Sequence, residues 1–449
     1  RNIEIHIGKL KFMRGKVMKK RLLACILTVG CLLLSVCACA PAETEKPEHL
    51  GLYTAEDGTL MKDGKAFYGF GVNYYCLLNR AFTEKWDVSK SLKAMETLAS
   101  YDVRAIRFNL TGYATTDWRY ITEKEDLYFQ ALDSIVEKAE ELGIGLMPCF
   151  FWAGSSIADH LGEPIGAAWR TDQTKTMKFI ESFVAKVVTR YCESPAIYGW
   201  EFANEQQLST DLPNWRDYLP ALPPYSPRTE RTEDDLITAS DYISALNLFA
   251  EVVSENDPYH RIIGSGDAEP RTSAYNLAHG GGWEIDTQEE HEKMLDMVHE
   301  SMTSLSFHKY PSFGVQSASD PEKVADYLGY FSDWDGFMEY FVNQGKRMKK
   351  SVYLGETGFV YSDATAASGL TVEKISSVIQ TIADAAVKAD MPLTFFWNYD
   401  DRPEYDPNDP TDHSTGTEWS WNERWDKGKA ILEIIRESNR AFDEKHSEE

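Results

Sequence analysis

Short continuous apolar runs alternate along the chain with longer stretches in which apolar residues recur every three or four positions. The runs are Phe67 to Val72, Val103 to Phe108, Ile144 to Cys149, a fourth from Ala196 that reaches Glu205, Arg261 to Ser265, Leu305 to His308, Val352 to Glu356 and Leu393 to Trp397. Each has the length and bounded character of a strand buried on both faces. Between them the spacing is helical. Leu92, Met95, Leu98 and Ala99 share one face, as do Tyr128, Leu132, Ile135, Ala139 and Leu142, with Gly143 placed to stop that helix. Phe179, Phe183 and Val187 mark a third helix, Tyr242, Leu246 and Phe249 a fourth, and Ala430 to about Ala441 the last. Eight strands separated by helices predict an α/β protein, a single (β/α)8 barrel without internal repeat.

The breaks in this rhythm are informative. Asp63-Gly64 lies between two short runs within Thr59 to Tyr68, a hairpin expected at the barrel's floor. Two long insertions follow strands four and five: a proline-dense stretch from Leu208 to about Glu233 holding Trp215 and Tyr218, and a second with Gly280-Gly281-Gly282-Trp283. Both belong on the face where βα loops build a site. The barrel is expected over 59–442, with a charged tail at 443–449.

The N-terminal region has another character. Lys19-Lys20-Arg21 precedes an apolar run from Leu22 to Val36, the layout of a secretion signal and too short to favour a spanning helix. It ends in Val36-Cys37-Ala38-Cys39, which resembles a bacterial lipoprotein signal; Cys39 fits lipidation better than Cys37, because Ala38 is small where cleavage would fall. Residues before Met18 read as an upstream extension or a mis-assigned start, since Met13 also precedes basic residues. Residues 1–39 are thus the signal segment and 40–58, Pro-, Glu- and Thr-rich at the start, a tether. The expected location is the extracellular face of a bacterial cell membrane, held only by the lipid anchor.

Charge narrows the partners. The formal charge is -25, and without residues 1–38 the balance is 38 basic against 70 acidic. Nucleic acid and other polyanions are disfavoured, since phosphate binding is driven by Lys and Arg. Neutral polymers remain, and 12 Trp and 23 Tyr provide flat faces on which sugar C–H faces can stack. Of seven cysteines, Cys76, Cys149 and Cys192 remain beyond Cys39, an odd number at wide spacing that reads as buried thiols. No Cys/His cluster has zinc spacing, and Asp400-Asp401 with Asp406 and Asp409 reads as a solvated acidic loop. No metal or cofactor is expected, and the chain is expected to be a monomer.

The candidate chemistry sits at strand ends. Gly199-Trp200-Glu201-Phe202-Ala203-Asn204-Glu205 carries an Asn-Glu pair at the tip of strand four, and Ser351-Val352-Tyr353-Leu354-Gly355-Glu356 runs strand seven into a second glutamate. Two carboxyls at strand C-termini are what glycoside hydrolysis requires, one as proton donor and one as nucleophile.

With these residues the stretch from about Thr59 to Phe442 resembles the retaining clan A glycoside hydrolases, particularly the family-five cellulase and β-mannanase group. The resemblance is carried by Arg107 in Ile106-Arg107-Phe108-Asn109, Asn204-Glu205, His308 and Tyr310, Glu356 and Trp397. It implies hydrolysis of β-glycosidic linkages in a mannan- or glucan-type substrate, with Glu205 as acid/base and Glu356 as nucleophile. It also implies Arg107 beneath the nucleophile, Tyr310 on its carboxylate, Asn204 on the sugar 2-hydroxyl, His308 orienting Glu205 or binding a hydroxyl, and Trp397 as the floor for a sugar ring. Glu205 should then be raised in pKa by Glu356, with the carboxyls about 5 to 5.5 Å apart. One position departs: where many relatives place a sugar-binding histidine after strand three, this chain has Cys149-Phe150-Phe151-Trp152. The sugar at the cleavage position is left open. The opening Gly71-Val72-Asn73-Tyr74-Tyr75 is similar to β-mannanases.

Each supporting residue has a plainer reading: Arg107 an ion pair under the sheet, His308 a core histidine, Trp152, Trp283 and Trp397 packing. A non-catalytic carbohydrate-binding lipoprotein and an exo-acting β-glycosidase stand as alternatives to an endo-acting enzyme.

Overall fold

The computed structural model describes residues 47–112, 115–223, 225–311, 331, 333–359, 371–403 and 419–447. Cys39 with the whole signal segment and residues 40–46 of the tether, and Asp406 and Asp409, lie outside the described residues. The described residues from Glu48 onward belong to one compact unit.

The eight barrel strands are β1 (Gly69–Asn73), β2 (Ala105–Asn109), β3 (Gly145–Phe151), β4 (Gly199–Ala203), β5 (Ile262–Gly264), β6 (Ser304–His308), β7 (Ser351–Gly358) and β8 (Leu393–Trp397). They pair in parallel in the order β5-β4-β3-β2-β1-β8-β7-β6. Across the remaining gap Thr303 N donates to the Ile263 carbonyl at 3.1 Å and Ile263 N to Thr303 Oγ1 at 2.7 Å, so the sheet curls into a nearly closed barrel. Almost every strand residue is buried, which is why the strands read as unbroken apolar runs rather than alternating ones.

The ring of helices comprises α1 (Ser89–Ser100), α2 (Glu125–Leu142), α3 (Lys175–Tyr191), α4 (Ala239–Asn256), α5 (Gln288–Val298), α6 (Trp334–Met348), α7 (Val372–Ala389) and α8 (Asp426–Lys445). In α2 the predicted stripe of Tyr128, Leu132, Ile135 and Ala139 is buried, and Gly143 ends the helix in the left-handed conformation at φ 69°. Thr238 with Asp241 and Thr287 with Glu290 form capping boxes that fix where α4 and α5 begin. α8 extends beyond Ala430 to Ala441 at both ends: its apolar stripe ends with Phe442, and the flanking charged turns carry no hydrophobic signal.

The barrel interior is filled from below by Ala105, Met147, Tyr198, Ile262, Tyr353, Leu393 and Phe395, with Leu52 and Leu60 packed against them. The hairpin joining Leu60–Lys62 to Lys65–Ala66 turns at Asp63 (φ 51°) and Gly64 (φ 78°), two positive φ values in a two-residue loop, and it sits at the floor as its Asp-Gly predicts. Cys76, Cys149 and Cys192 are buried free thiols. Among the described residues no helix is long and apolar enough to cross a membrane.

Two sequence expectations are corrected. Strand four stops at Ala203 rather than reaching Glu205, because Glu205 takes a left-handed conformation (φ 52°) that turns the chain out of the ladder. Asp400 and Asp401 are not a solvated loop. Asp400 is fully buried and paired with Arg402, while Asp401 accepts from Arg80 and from the Tyr74 hydroxyl, the latter at 2.7 Å. Trp215, inside the first insertion, packs with Leu212 and Leu277. Trp283 is 54% exposed.

Candidate active site

Five strands, β2, β4, β6, β7 and β8, bring the predicted residues together, and the organising group is Arg107 at the middle of β2. Its side chain is fully buried, so every N–H needs a partner. Nη1 donates to Glu356 Oε1 at 2.7 Å and to Asn73 Oδ1 at 2.9 Å, and Nη2 to Asn204 Oδ1 at 2.8 Å. Nε donates to Glu201 Oε1 at 2.8 Å, while Nη2 lies 2.6 Å from the same oxygen. The guanidinium also lies 4.7 Å from the Trp152 ring centre, a cation–π contact.

Glu356, on β7, is held at both oxygens: Tyr310 Oη donates to Oε2 at 2.8 Å and Arg107 to Oε1. Its side chain is 6% exposed against 32% for Glu205. His308, ending β6, places Nδ1 3.0 Å from Glu205 Oε1 and 3.8 Å from Glu356 Oε2. Its Nε2 crowds Gly355, where a Cβ would come within 2.6 Å, so the residue before Glu356 has no room for a side chain. One ligating atom from each of Glu205, His308 and Glu356 falls within 4.8 Å of the others. An oxygen of Glu205 and an oxygen of Glu356 therefore lie within 4.8 Å of each other, with His308 beside both. Trp397, at the end of β8, stacks on Trp152 with ring centres 5.7 Å apart and planes 30° apart.

The sequence reading missed Glu201, Asn73 and Tyr353. Glu201 is fully buried and accepts from the Tyr353 hydroxyl at 2.8 Å as well as from Arg107. Strand alternation was the available signal: in β4, Trp200 and Phe202 pack outward in the main core, which turns Glu201 inward, where a buried carboxylate needs a cation. Asn73 bridges the site by donating from Nδ2 to the Gly355 carbonyl at 2.9 Å while accepting from Arg107.

The electrostatics reverse one expectation. Burial pushes both carboxyls upward, but at Glu205 the His308 hydrogen bond and the charges of His308 and Arg107 outweigh it, and the group lies below the ordinary glutamate range. At Glu356 burial prevails over the charges of His308 and Arg107, with Glu205 adding to the rise, and the group lies above it. Like-charge repulsion was expected to act on Glu205; instead His308 faces Glu205 more closely, and Arg107 divides its charge between Glu356 and Glu201.

Two groups of described residues have the spacing of metal ligands, Glu205–His308–Glu356 and Cys76–Asp400–Asp401. Arg107 is paired with Glu356 in the first, and Arg80 and Arg402 with the two aspartates in the second, so both acidic pairs already face cations.

Behind the site, buried Asp267 accepts from the Tyr242 hydroxyl at 2.7 Å, yet burial outweighs its hydrogen bonds and pushes its pKa up to about 7 from 3.8. A raised carboxyl favours the fold below pH 3.8, and that contribution is lost as pH rises through 7. Asp267→Asn, which cannot ionise, is expected to gain stability over the wild type by up to about 1.4 kcal/mol per pH unit across that window. Urea unfolding at pH 5 and pH 8 measures it, and an equal difference at both would show that Asp267 does not titrate there.

No family model matches the chain. It is 26% identical over 303 residues, 60% of its own length and 66% of the relative's, to a probable mannan endo-1,4-beta-mannosidase C of Aspergillus terreus. It is 22% identical over 394 residues, 82% and 85% of the two chains, to a putative mannan endo-1,4-beta-mannosidase 9 of Oryza sativa subsp. japonica. The chain spans between 41% and 66% of the length of four Aspergillus relatives of the same description. A glycoside hydrolase family 5 mannosidase from Rhizomucor miehei superposes with a TM-score of 0.59 at 16% identity, over 90% of this chain and 100% of that one, a likeness that speaks to the fold. Barrel and sequence relatives agree with the resemblance carried by the strand-end residues: the chain is similar to mannan endo-1,4-beta-mannosidases in sequence and to a glycoside hydrolase family 5 mannosidase in fold.

Proposed function

We propose that this protein hydrolyses β-linked neutral glycans, of β-mannan type in the first instance, by double displacement with Glu356 as nucleophile and Glu205 as acid/base. The observation that carries the reading is the contrast between the two carboxylates. Glu356 is buried and clamped at both oxygens by Arg107 and Tyr310, whereas Glu205, within 4.8 Å, is a third exposed. A clamped carboxylate is aimed for attack at the anomeric carbon, and a more accessible one can pass a proton to the glycosidic oxygen and later take one from water.

In the first step a Glu356 oxygen bonds to the anomeric carbon as the C–O bond to the leaving group breaks and Glu205 protonates the departing oxygen. In the second, Glu205 removes a proton from water, which displaces Glu356 and frees the sugar. In the free site the electrostatics favour Glu356 over Glu205 as holder of a shared proton, so cleavage requires that substrate binding shift that proton onto Glu205. Asn204 Oδ1 is taken by Arg107, which leaves Nδ2 to donate to the sugar 2-hydroxyl. Trp397, stacked on Trp152, serves as the floor. His308 orients Glu205 through Nδ1.

The relatives named for mannan favour mannan over glucan as the substrate. Incubating the purified protein with β-mannan, mixed-linkage β-glucan, xylan and aryl β-glycosides should release reducing ends from mannan fastest. Activity on xylan or glucan alone would overturn the sugar assignment, and none on any of the four the enzymatic one.

The Val36-Cys37-Ala38-Cys39 sequence supports a lipid anchor on Cys39 and a place on the outer face of the cell membrane. Cys39→Ser is expected to move the protein from the membrane fraction to the soluble fraction. A variant that stays membrane-bound contradicts the anchor.

A further inference from the structure

Beside Glu205 the cleft opens into a cavity of about 630 Å³. Two of its walls come from the ends of β3 and β4, through Trp152 and Ser155 on one side and Asn204 and Glu205 on the other. The third is the first insertion, through Leu208, Asp217 and Tyr218. None of Arg107, Tyr310, Glu356 or Trp397 is among the residues that line it. The cavity therefore adjoins the proton donor and not the groups that hold the nucleophile.

The insertion wall is bolted in place. Arg231 pairs with buried Asp159 through both terminal nitrogens at 2.6 and 2.7 Å and donates to the Pro220 carbonyl at 2.9 Å. Arg228 pairs with buried Asp235 at 2.7 and 2.6 Å, and Asp235 also accepts from Ile165 N at 3.1 Å. Arg271 Nε donates to the Leu208 carbonyl at 2.9 Å. These pairs are partly or fully buried and planar, the kind that fixes a loop. Against that fixed wall Tyr218 is 59% exposed although it faces a cavity. An exposed ring on a rigid support, near hydroxyl and carboxylate acceptors, suits a neutral sugar with an apolar C–H face and several O–H donors.

Resting on the proposed chemistry, we infer that the first insertion builds the leaving-group side of the cleft, with Tyr218 as the platform for the sugar that departs from Glu205. A proton donor must face the glycosidic oxygen, and the leaving group lies beyond that oxygen, so a cavity that touches Glu205 but not the nucleophile's clamp is placed to hold it. The same cavity would then receive acceptor sugars that intercept the glycosyl-enzyme.

The test compares mannotetraose, whose leaving group is a sugar, with β-mannosyl fluoride, whose leaving group is a single atom. In Tyr218→Ala the ratio of kcat/KM for tetraose over fluoride should fall about tenfold, the scale of one lost aromatic stacking contact. Tyr218→Phe should restore the ratio. Transfer from the fluoride to added mannobiose should drop in Tyr218→Ala in parallel. An unchanged ratio, or equal losses on both substrates, would overturn the assignment of this cavity while leaving the proposed chemistry standing. A wild type inactive on both of these and on β-glucan and xylan would remove the chemistry and the cavity assignment together; a wild type active on glucan alone moves the same comparison to cellotetraose and β-glucosyl fluoride.

Discussion

Glu356→Ala is expected to abolish turnover of every β-glycoside the wild type accepts, with a loss on the order of 10⁴- to 10⁶-fold, the scale seen when a covalent nucleophile is removed. The size follows from the site's construction. Arg107 and Tyr310 already hold both oxygens of that carboxylate, so it is aimed before attack and its removal takes away the covalent route. Glu205→Ala should behave differently. Its loss should be about 10²- to 10⁴-fold for substrates with poor leaving groups and far smaller for activated aryl glycosides, whose departure needs little proton donation. Initial rates on a series of aryl β-mannosides of graded leaving-group pKa measure both. Uniform losses across the series in the Glu205 variant would contradict its role as acid.

The second large effect is on stability. Arg107→Leu would leave Glu201 and Glu356 facing each other across the barrel without their shared cation, and it would unpair Asn73 and Asn204 as well. Removing one partner of a buried ion pair costs about 3–5 kcal/mol, and here two carboxylates lose the same partner. The expected result is a drop of at least that size in unfolding free energy by urea titration. A loss below about 1 kcal/mol would mean that the network carries little of the fold. Adding Glu201→Leu to Arg107→Leu removes one orphaned charge and should recover part of the loss.

Much of this arrangement was legible in the sequence, for a physical reason. Strands buried on both faces announce themselves as apolar runs, and a (β/α)8 barrel puts its chemistry at their C-terminal ends, so Arg107, Asn204, Glu205, His308, Tyr310, Glu356 and Trp397 could be placed from their position after such runs. What failed depended on direction and pairing in three dimensions. The turn at Glu205 arises from a left-handed backbone that nothing in Asn204-Glu205 announces. Glu201 sat in full view four residues before Glu205, but its partnership with Arg107 spans two strands with β3 between them. The reversed carboxyl electrostatics follow from which oxygen His308 Nδ1 faces, a detail beyond any spacing argument. Asp400 and Asp401 looked solvated because acidic runs usually are; Arg80 and Arg402 bury them. Tyr218 and Trp215 lie three positions apart in one insertion and part ways, one against the cleft and one in a small core, because only the fold decides which ring meets Leu212 and Leu277.

The division of labour between the two glutamates is tested most directly by the configuration of the products formed with azide. In Glu356→Ala the vacated space lets azide attack the anomeric carbon from the nucleophile's side while Glu205 assists departure, so the glycosyl azide should have inverted configuration. In Glu205→Ala the sugar first transfers to Glu356, and azide then displaces it from the opposite side, so the product should retain its configuration. Proton NMR of the anomeric signals from an activated aryl β-mannoside distinguishes the two. Inverted product from the first variant and retained product from the second is the predicted result; the opposite pattern would contradict the assignment of Glu356 as nucleophile and Glu205 as acid/base.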